Sequence, residues 1–505
     1  MHDCCSGVTL KEIQMSEQDY ELREGKHYNQ RGVIADTYSD LQALHIFKEI
    51  QSEHPLPPAS RQSVLRSVLQ SIEVALLNLS DLIFRASNDI SNNDLDHALT
   101  KISWMRGFHY ILEQLSQMPT QLGFAGELSE NTVIRITDSP AMKKYFLGLR
   151  KFDISVKAYL VPIKNSLEEA ISHKSLDDNL TRFIQQVRIC NHATTIWEHN
   201  LALIYIPAKD TTYLDFVVPD KINEMVYDRE LTGDTYFMQF RAFHQIPEIL
   251  TYEINNLIEH AILRIREQDI QTAVECLTVV NTLSPGVVGS IMPIADNLTT
   301  SDYHHIRENL GITSGSHSEN IHYHLFQDLY SQLGKEYEAF IERSFGDQCG
   351  STDTTEIVRF IDANRHLNET FFMAHLLTNQ LLDLHMFVFH WRDGHLHLPR
   401  NTVGGHLTKS LKGAPDAVQT VKNMRQQAFA KDELRAIVIA RLGNVTDYDS
   451  PDLPLAQYFS TSDALDDIIS SITGAITKIR FGHVQHRTGI FAEKGKFVPP
   501  VKRKA

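Results

Sequence analysis

Apolar residues recur at steps of three and four along most of this chain. That period predicts helices almost throughout. Between residues 60 and 85, Val64, Val68, Ile72, Leu76, Leu79 and Ile83 mark one helical face. The same spacing predicts helices over 37–51, 94–118, 165–198 (with a break near 172–177), 236–266, 269–283, 301–310, 318–345, 355–391, 416–442 and 462–480. Pro55-Leu56-Pro57-Pro58 ends the first of these. Residues 133–136 and the segment around Pro140 read as irregular, and no run of alternating strands is long enough for a parallel sheet. The expected fold class is therefore all-α, built as two tandem helical-bundle halves. A short stretch from Pro207 to Pro219, polar at its start, reads as the linker between them. The expected division is a helical domain over 1–220, a second over 221–445, and a C-terminal helix with a basic tail over 446–505.

The two halves carry signs of a duplication. Leu65-Arg66-Ser67-Val68-Leu69-Gln70-Ser71-Ile72-Glu73 sits opposite Phe240-Arg241-Ala242-Phe243-His244-Gln245-Ile246-Pro247-Glu248, with Arg, Gln and Glu in common. Met118-Pro119 faces Met292-Pro293 at nearly the same offset. Leu69 stands where the second segment has His244, so the first copy lacks that polar group. It is read as a degenerate repeat without a cofactor of its own.

Charge and composition narrow the function. A net charge of -15 repels phosphate backbones, so nucleic acid is not an expected partner. The five cysteines form no C-x-x-C pair, which points away from a zinc ribbon or a disulfide framework. The N-terminus has no basic-then-apolar leader, and the apolar segment 371–390 is interrupted by His375, Asn379, Asp383 and His385. A cytoplasmic protein with no membrane partner is expected.

Chemistry concentrates in four motifs. His395 follows Trp391-Arg392 by one helical turn near the end of an apolar helix, about ten residues before paired glycines, where a histidine can hold a metal cofactor from one side. His244 lies in Phe240-x-x-x-His244-Gln245-x-x-Glu248, with Pro247 inside the motif. Arg307 lies in Asp302-Tyr303-His304-His305-Ile306-Arg307-Glu308-Asn309-Leu310, followed by Ser314-Gly315-x-x-Ser318. A loop carries Thr402-Val403-Gly404-Gly405-His406. Glycines there let backbone approach a ligand closely.

Together these motifs resemble the haem-dependent dioxygenases that include tryptophan 2,3-dioxygenase and indoleamine 2,3-dioxygenase, a superfamily that also holds indole-remodelling enzymes of the pyrrolnitrin pathway. The resemblance covers roughly residues 234–425. It implies haem b as cofactor, with His395 as axial ligand of the iron and Trp391 packed on the macrocycle. It implies that His244 is the distal hydrogen-bonding group or base, and Phe240 a wall of the substrate pocket. It implies that Arg307 clamps a substrate carboxylate, for which a planar guanidinium is suited. It places Val403, Gly404 and Gly405 against the substrate. In the family a threonine at the position of Val403 helps hold the substrate ammonium. Valine can neither donate nor accept, which points to a modified or differently placed substrate. The expected activity is opening of the C2–C3 bond of an indole, tryptophan or a derivative, by O2. The alternatives are a haem-dependent monooxygenase or indole-rearranging enzyme of the same superfamily, and a haem-binding helical protein without turnover. Family members are oligomers in which a neighbour's N-terminal helices help close each pocket. This chain is expected to be a homo-oligomer or to carry that partner internally as a pseudo-dimer.

Overall fold

The computed structural model describes residues 42–123, 133–134, 136–163, 178–202, 206–207, 212–228, 235–299, 321–402 and 434–442. Its α-helices of five or more residues are α1 (Leu44–Glu53), α2 (Arg61–Ser91), α3 (Leu95–Gln121), α4 (Pro140–Leu160), α5 (Asp178–Ala202), α6 (Tyr213–Val217), α7 (Pro219–Tyr227), α8 (Thr235–Arg266), α9 (Ile270–Gly289), α10 (Met292–Asn297), α11 (Ile321–Ile341), α12 (Thr354–Asn364), α13 (Glu369–Thr402) and α14 (Arg435–Leu442). The all-α expectation holds. The only described strands are two residues each, β1 (Val133–Ile134) and β2 (Ile206–Pro207), paired antiparallel.

Helix α2 shows why these sequences form long buried helices. Ser60 caps it by accepting from Ser63 N. Its apolar face meets the core, and its small polar residues are satisfied within the helix. Ser71, Ser80 and Ser87 donate to the carbonyls of Ser67, Leu76 and Ile83, and Asn78 donates to Val74 O. A hydroxyl bonded this way can enter the core without an unmet polar group. By length and composition alone α2 and the stretch Ile270–Asn297 are apolar enough to cross a membrane. Of those apolar windows 89% and 61% are buried inside the protein, which is how core helices are placed.

Three local expectations change. The Pro140 segment is helical, because Ser139 accepts from Met142 N at 2.9 Å and proline suits the first helical position. The helix expected over 355–391 is two helices. Residues 365–368 break it, where Leu367 N bonds Asn364 O and Asn368 caps the next helix by accepting from Phe371 N. The expected linker is structured from Thr212, which forms a capping box with Asp215 and sends Tyr213 and Val217 into the core. The helices expected over 301–310 and 462–480, and most of 416–442, lie outside the described residues.

Four long helices are arranged alike in each half. In the first, α2 packs on α3 and α4, and α3 packs on α5. In the second, α8 packs on α9 and α11, and α9 packs on α13. The likeness extends to backbone detail, with equivalent positions related by one constant offset along the chain. Asn93 and Gln268 both end a helix in the left-handed region, with φ of 63° and 62°. Asp94 and Asp269 follow as N-caps, and their backbone N–H groups bond Asp89 O and Arg264 O, both at 2.9 Å. Ala43 and Val218 are left-handed too, with φ of 52° and 57°.

The halves meet through α2 and α3 against α8 and α9. Gln70 Nε2 donates to Val217 O, and Gln245 Nε2 donates to Gln42 O, both at 3.0 Å. The same offset that relates Asn93 to Gln268 relates one donor to the other and one acceptor to the other. This reciprocity is the signature of a two-fold, isologous interface. Gly107 sits at this contact, where an added Cβ would lie 2.6 Å from Pro293 Cβ. One continuous apolar core runs through both halves.

Candidate functional site: an apolar cleft in the second half

An apolar cleft, partly open to solvent, lies among α8, α9, α10, α11 and α13. Its apolar character suits a small-molecule site. Phe243, His244, Pro247, Glu248 and Thr251 come from one face of α8 at helical spacing. Val287 comes from the end of α9, and Ile291 and Ile294 from the short break and restart between α9 and α10. Tyr323, Phe326 and Gln327 come from α11, and Phe387, Val388, Trp391 and Arg392 from α13.

Of the residues singled out from sequence, His244 and Trp391 both line this cleft. They come from helices that are far apart in the chain. The His244 Nδ1 lies 2.8 Å from Phe240 O. A carbonyl oxygen only accepts, so Nδ1 carries the proton and Nε2 is left as the acceptor nitrogen. Burial lowers the His244 pKa, against weaker opposing effects of the Phe240 carbonyl and Glu248. The neutral, accepting form is therefore the one present near neutral pH.

Phe240 is placed differently from what the resemblance implies. It is buried behind His244, ring against ring at 4.3 Å, and is not part of the cleft lining; the wall position is taken by Phe243. Residue 240 lies on the same face of α8 as His244 but a full turn earlier along the axis, short of the cleft lining. Residue 243 adjoins His244 on the cleft side. Pro247 stands in the cleft wall within an unbroken α8. The helix does not end there although proline removes one donor.

Three lining residues escaped the sequence reading. Glu248 was noted only as part of a motif, yet its carboxylate lies 2.8 Å from His322 Nδ1 and both side chains are largely buried. Tyr323 packs its ring 4.7 Å from Trp391 and accepts from Gln327 Nε2 at 2.7 Å. Arg392 interacts with the Tyr323 hydroxyl. Glu248 stands one turn from His244 and Arg392 next to Trp391, but Tyr323 comes from α11, and its contact with α13 is not readable from period alone.

Position 395 lies within α13, one turn beyond Trp391 in helical register, and Gly394 beside it is buried against Ile291. Arg307, Val403, Gly404 and Gly405 lie outside the described residues. Among the described residues no group of three or more His, Cys, Asp or Glu side chains is placed to hold a bare metal ion. Haem makes no such demand, since the protein can supply a single axial histidine. The described walls are mostly aliphatic and aromatic, with Glu248, Gln327 and Arg392 among them. Trp391 is presented on the helix that carries position 395, and His244 faces the same cleft from α8.

The fold and cleft thus define an all-α protein with an apolar small-molecule cleft among the long helices of its second half. Compared with known proteins, the chain matches no family model and no curated protein.

Proposed function

We propose that this protein is a haem-dependent dioxygenase that opens the C2–C3 bond of an indole, tryptophan or a derivative of it. The observation that carries this reading is the convergence of His244 and Trp391, drawn from separate motifs, on one apolar cleft. Haem b, held through His395, supplies the binding and activation of O2. The chain's own residues do the positioning, which is where the protein contributes to cofactor chemistry. The apolar walls on α8 to α13 exclude water. Trp391 packs against the macrocycle. His244, with its Nδ1 proton committed to Phe240 O, offers Nε2 to the indole N–H and fixes the ring's orientation. Arg307 docks the substrate carboxylate through paired charge-assisted bonds.

The test is haem content and product mass together. The wild-type chain reconstituted with haem is expected to hold one haem with a histidine-ligated Soret band, and His395→Ala to lose it. A His395→Ala chain that keeps a full haem complement sinks the assignment. Turnover under 18O2 is expected to give a product carrying two labelled atoms. A second reading, insertion of one oxygen or rearrangement of the indole, is favoured by Pro247 in the cleft wall and by Val403 in the glycine loop. One labelled atom selects it.

A further inference from the structure

The first half repeats the frame of the second, yet its centre is built differently. The equivalent of the α13 tryptophan is Trp197 on α5. Trp197 precedes Trp391 by the same interval as Asn200 precedes Gly394. Asn200 bonds Ser116 on α3, while Gly394 packs on Ile291, and Ser116 and Ile291 are related by the offset that relates Asn93 to Gln268. A tyrosine of the third long helix accompanies each tryptophan: Tyr145 on α4 at 5.0 Å from Trp197, and Tyr323 on α11 at 4.7 Å from Trp391. The two indoles are used in opposite ways. Trp391 lines the cleft and is partly exposed. Trp197 is fully buried, and its Nε1–H donates to His109 Nδ1 at 2.9 Å. His109 is itself buried, which pushes its pKa down to about 3 and keeps the ring a neutral acceptor. In the second half the position of His109 is Ser284, whose hydroxyl bonds Val280 O of its own helix.

The positions equivalent to the cleft wall agree. Val68, Leu69, Ile72, Leu76 and Leu112 stand where the second half has Phe243, His244, Pro247, Thr251 and Val287, and all five of these aliphatic residues are essentially unexposed. His199, near Trp197 on α5, is exposed and so does not face this core.

We propose that the first half is a twin of the cleft-bearing half whose ligand space is filled from within, with Trp197 as the internal occupant held by His109, so that the chain has one indole site. The one-site count rests on the function proposed above; the filling by Trp197 rests on the packing alone.

Trp197→Gly in the full chain tests the filling. The variant is expected to melt several degrees lower than wild type, and free indole to restore most of that loss. Indene, the same shape without an N–H, is expected to restore less, because His109 then meets no donor. Where Trp197→Gly is not recovered folded alone, refolding in the presence of indole is expected to raise the yield of soluble protein. No gain in melting temperature or yield with indole overturns the filling. Site count is read separately by titrating indole into wild type and into Trp197→Phe, which keeps an aromatic plug: one site is expected in each, and two in wild type overturns the proposal. A wild type that binds no indole removes the indole-cleft function and the one-site count with it, while the rescue of Trp197→Gly still decides whether Trp197 fills the first half.

Discussion

The two halves share a backbone frame and differ in what that frame encloses. Both end their first long helix in a left-handed residue, Asn93 or Gln268, and both restart on an aspartate cap. Neither left-handed residue is glycine, and the two differ in type, so the turn is kept by its hydrogen bonds rather than by one residue. The enclosed space follows from a handful of side chains. Leu69, Ile72 and Leu76 close the first half, while His244, Pro247 and Thr251 at the same positions leave the second open. The second helix reinforces the contrast. Helix α3 runs unbroken to Gln121, but its counterpart stops at Gly289 and restarts at Met292, and the residues of that break form cleft wall. A frame that places helices can thus be separated from the side chains that admit a ligand.

The sharpest way to break the comparison is to give the second half the residue of the first. His244→Leu removes the accepting nitrogen from the cleft and puts an aliphatic chain where the fold already tolerates one. Haem content is expected to stay at one per chain, while turnover falls by roughly 10²–10⁴-fold, the usual worth of a positioned general base or proton-holding group. Steady-state kinetics beside a Soret-based haem count checks this. Turnover within a few-fold of wild type would remove His244 from the chemistry. The reverse change, Leu69→His, is expected to add no site and to cost about 1–3 kcal/mol of stability, because a polar ring enters an aliphatic core.

A second difference is electrostatic. The first-half core holds His109, whose pKa is pushed by burial from 6.5 down to about 3, and Glu73, raised by burial from 4.5 to about 6 against the Tyr213 hydroxyl that bonds it at 2.5 Å. Glu253, on α8 but bonded by Ser63 of α2, is raised by burial to about 7. The signs oppose. His109 binds its proton more readily unfolded, so its contribution is complete above pH 6.5 and is lost as pH falls toward 3. The glutamates bind protons more readily folded, so their contribution is complete below pH 4.5 and is lost as pH rises through 6 and 7. At about 1.4 kcal/mol per pKa unit, the two glutamates add roughly 5 kcal/mol as pH falls from 7 to 4.5 and His109 removes roughly 3. Below 4.5 the glutamates add nothing more, and His109 alone removes roughly 2 kcal/mol by pH 3. Denaturant melts are therefore expected to show stability rising by roughly 2–3 kcal/mol from pH 7 to 4.5 and declining below it. His109→Gln, which can still accept from Trp197, is expected to lose the part of that decline due to His109 and to gain stability as pH falls from 7 to 4.5. A His109→Gln chain with an unchanged acid decline would place the titration elsewhere.

What could be read from the chain beforehand follows the same division. Helical period exposed α2, α3, α5, α8 and α9 with good bounds, because each has one continuous apolar face. It missed α4, since Pro140 reads as a break until Ser139 is recognised as its cap, and it joined α12 to α13 across residues 365–368 because the apolar spacing runs through the gap. His244 and Trp391 were legible as motif positions, and both line the cleft. Phe240 shares the face of His244 but lies one turn short of the cleft lining, a difference that only the packing around α8 shows. The duplication showed only three shared residues in nine, yet the structure carries it through left-handed turns, caps and the reciprocal Gln70 and Gln245 bonds, none of which requires the same side chains around it. The pairing of Glu248 with His322 joins separate motifs across the fold and leaves no local mark in the sequence.

The smallest expected effect is at Thr251, and it separates ligand space from fold most cleanly. Thr251 is partly exposed on the cleft face of α8, one turn beyond Pro247, and its counterpart Leu76 is fully buried. Thr251→Leu therefore adds apolar volume to the cleft without disturbing the helix, since leucine is the better helix former. Burial of the added carbon should leave stability unchanged or raise it by up to about 1 kcal/mol. The same atoms occupy room a ligand would use, so the dissociation constant for 3-methylindole is expected to rise by roughly tenfold, near the 1.4 kcal/mol that corresponds to one displaced contact. Thermal melting and calorimetric titration on the one variant read both numbers. A lower melting temperature with unchanged affinity would mean that Thr251 supports the fold rather than bounds the site, and the contrast with Leu76 would then lie in packing instead of in access.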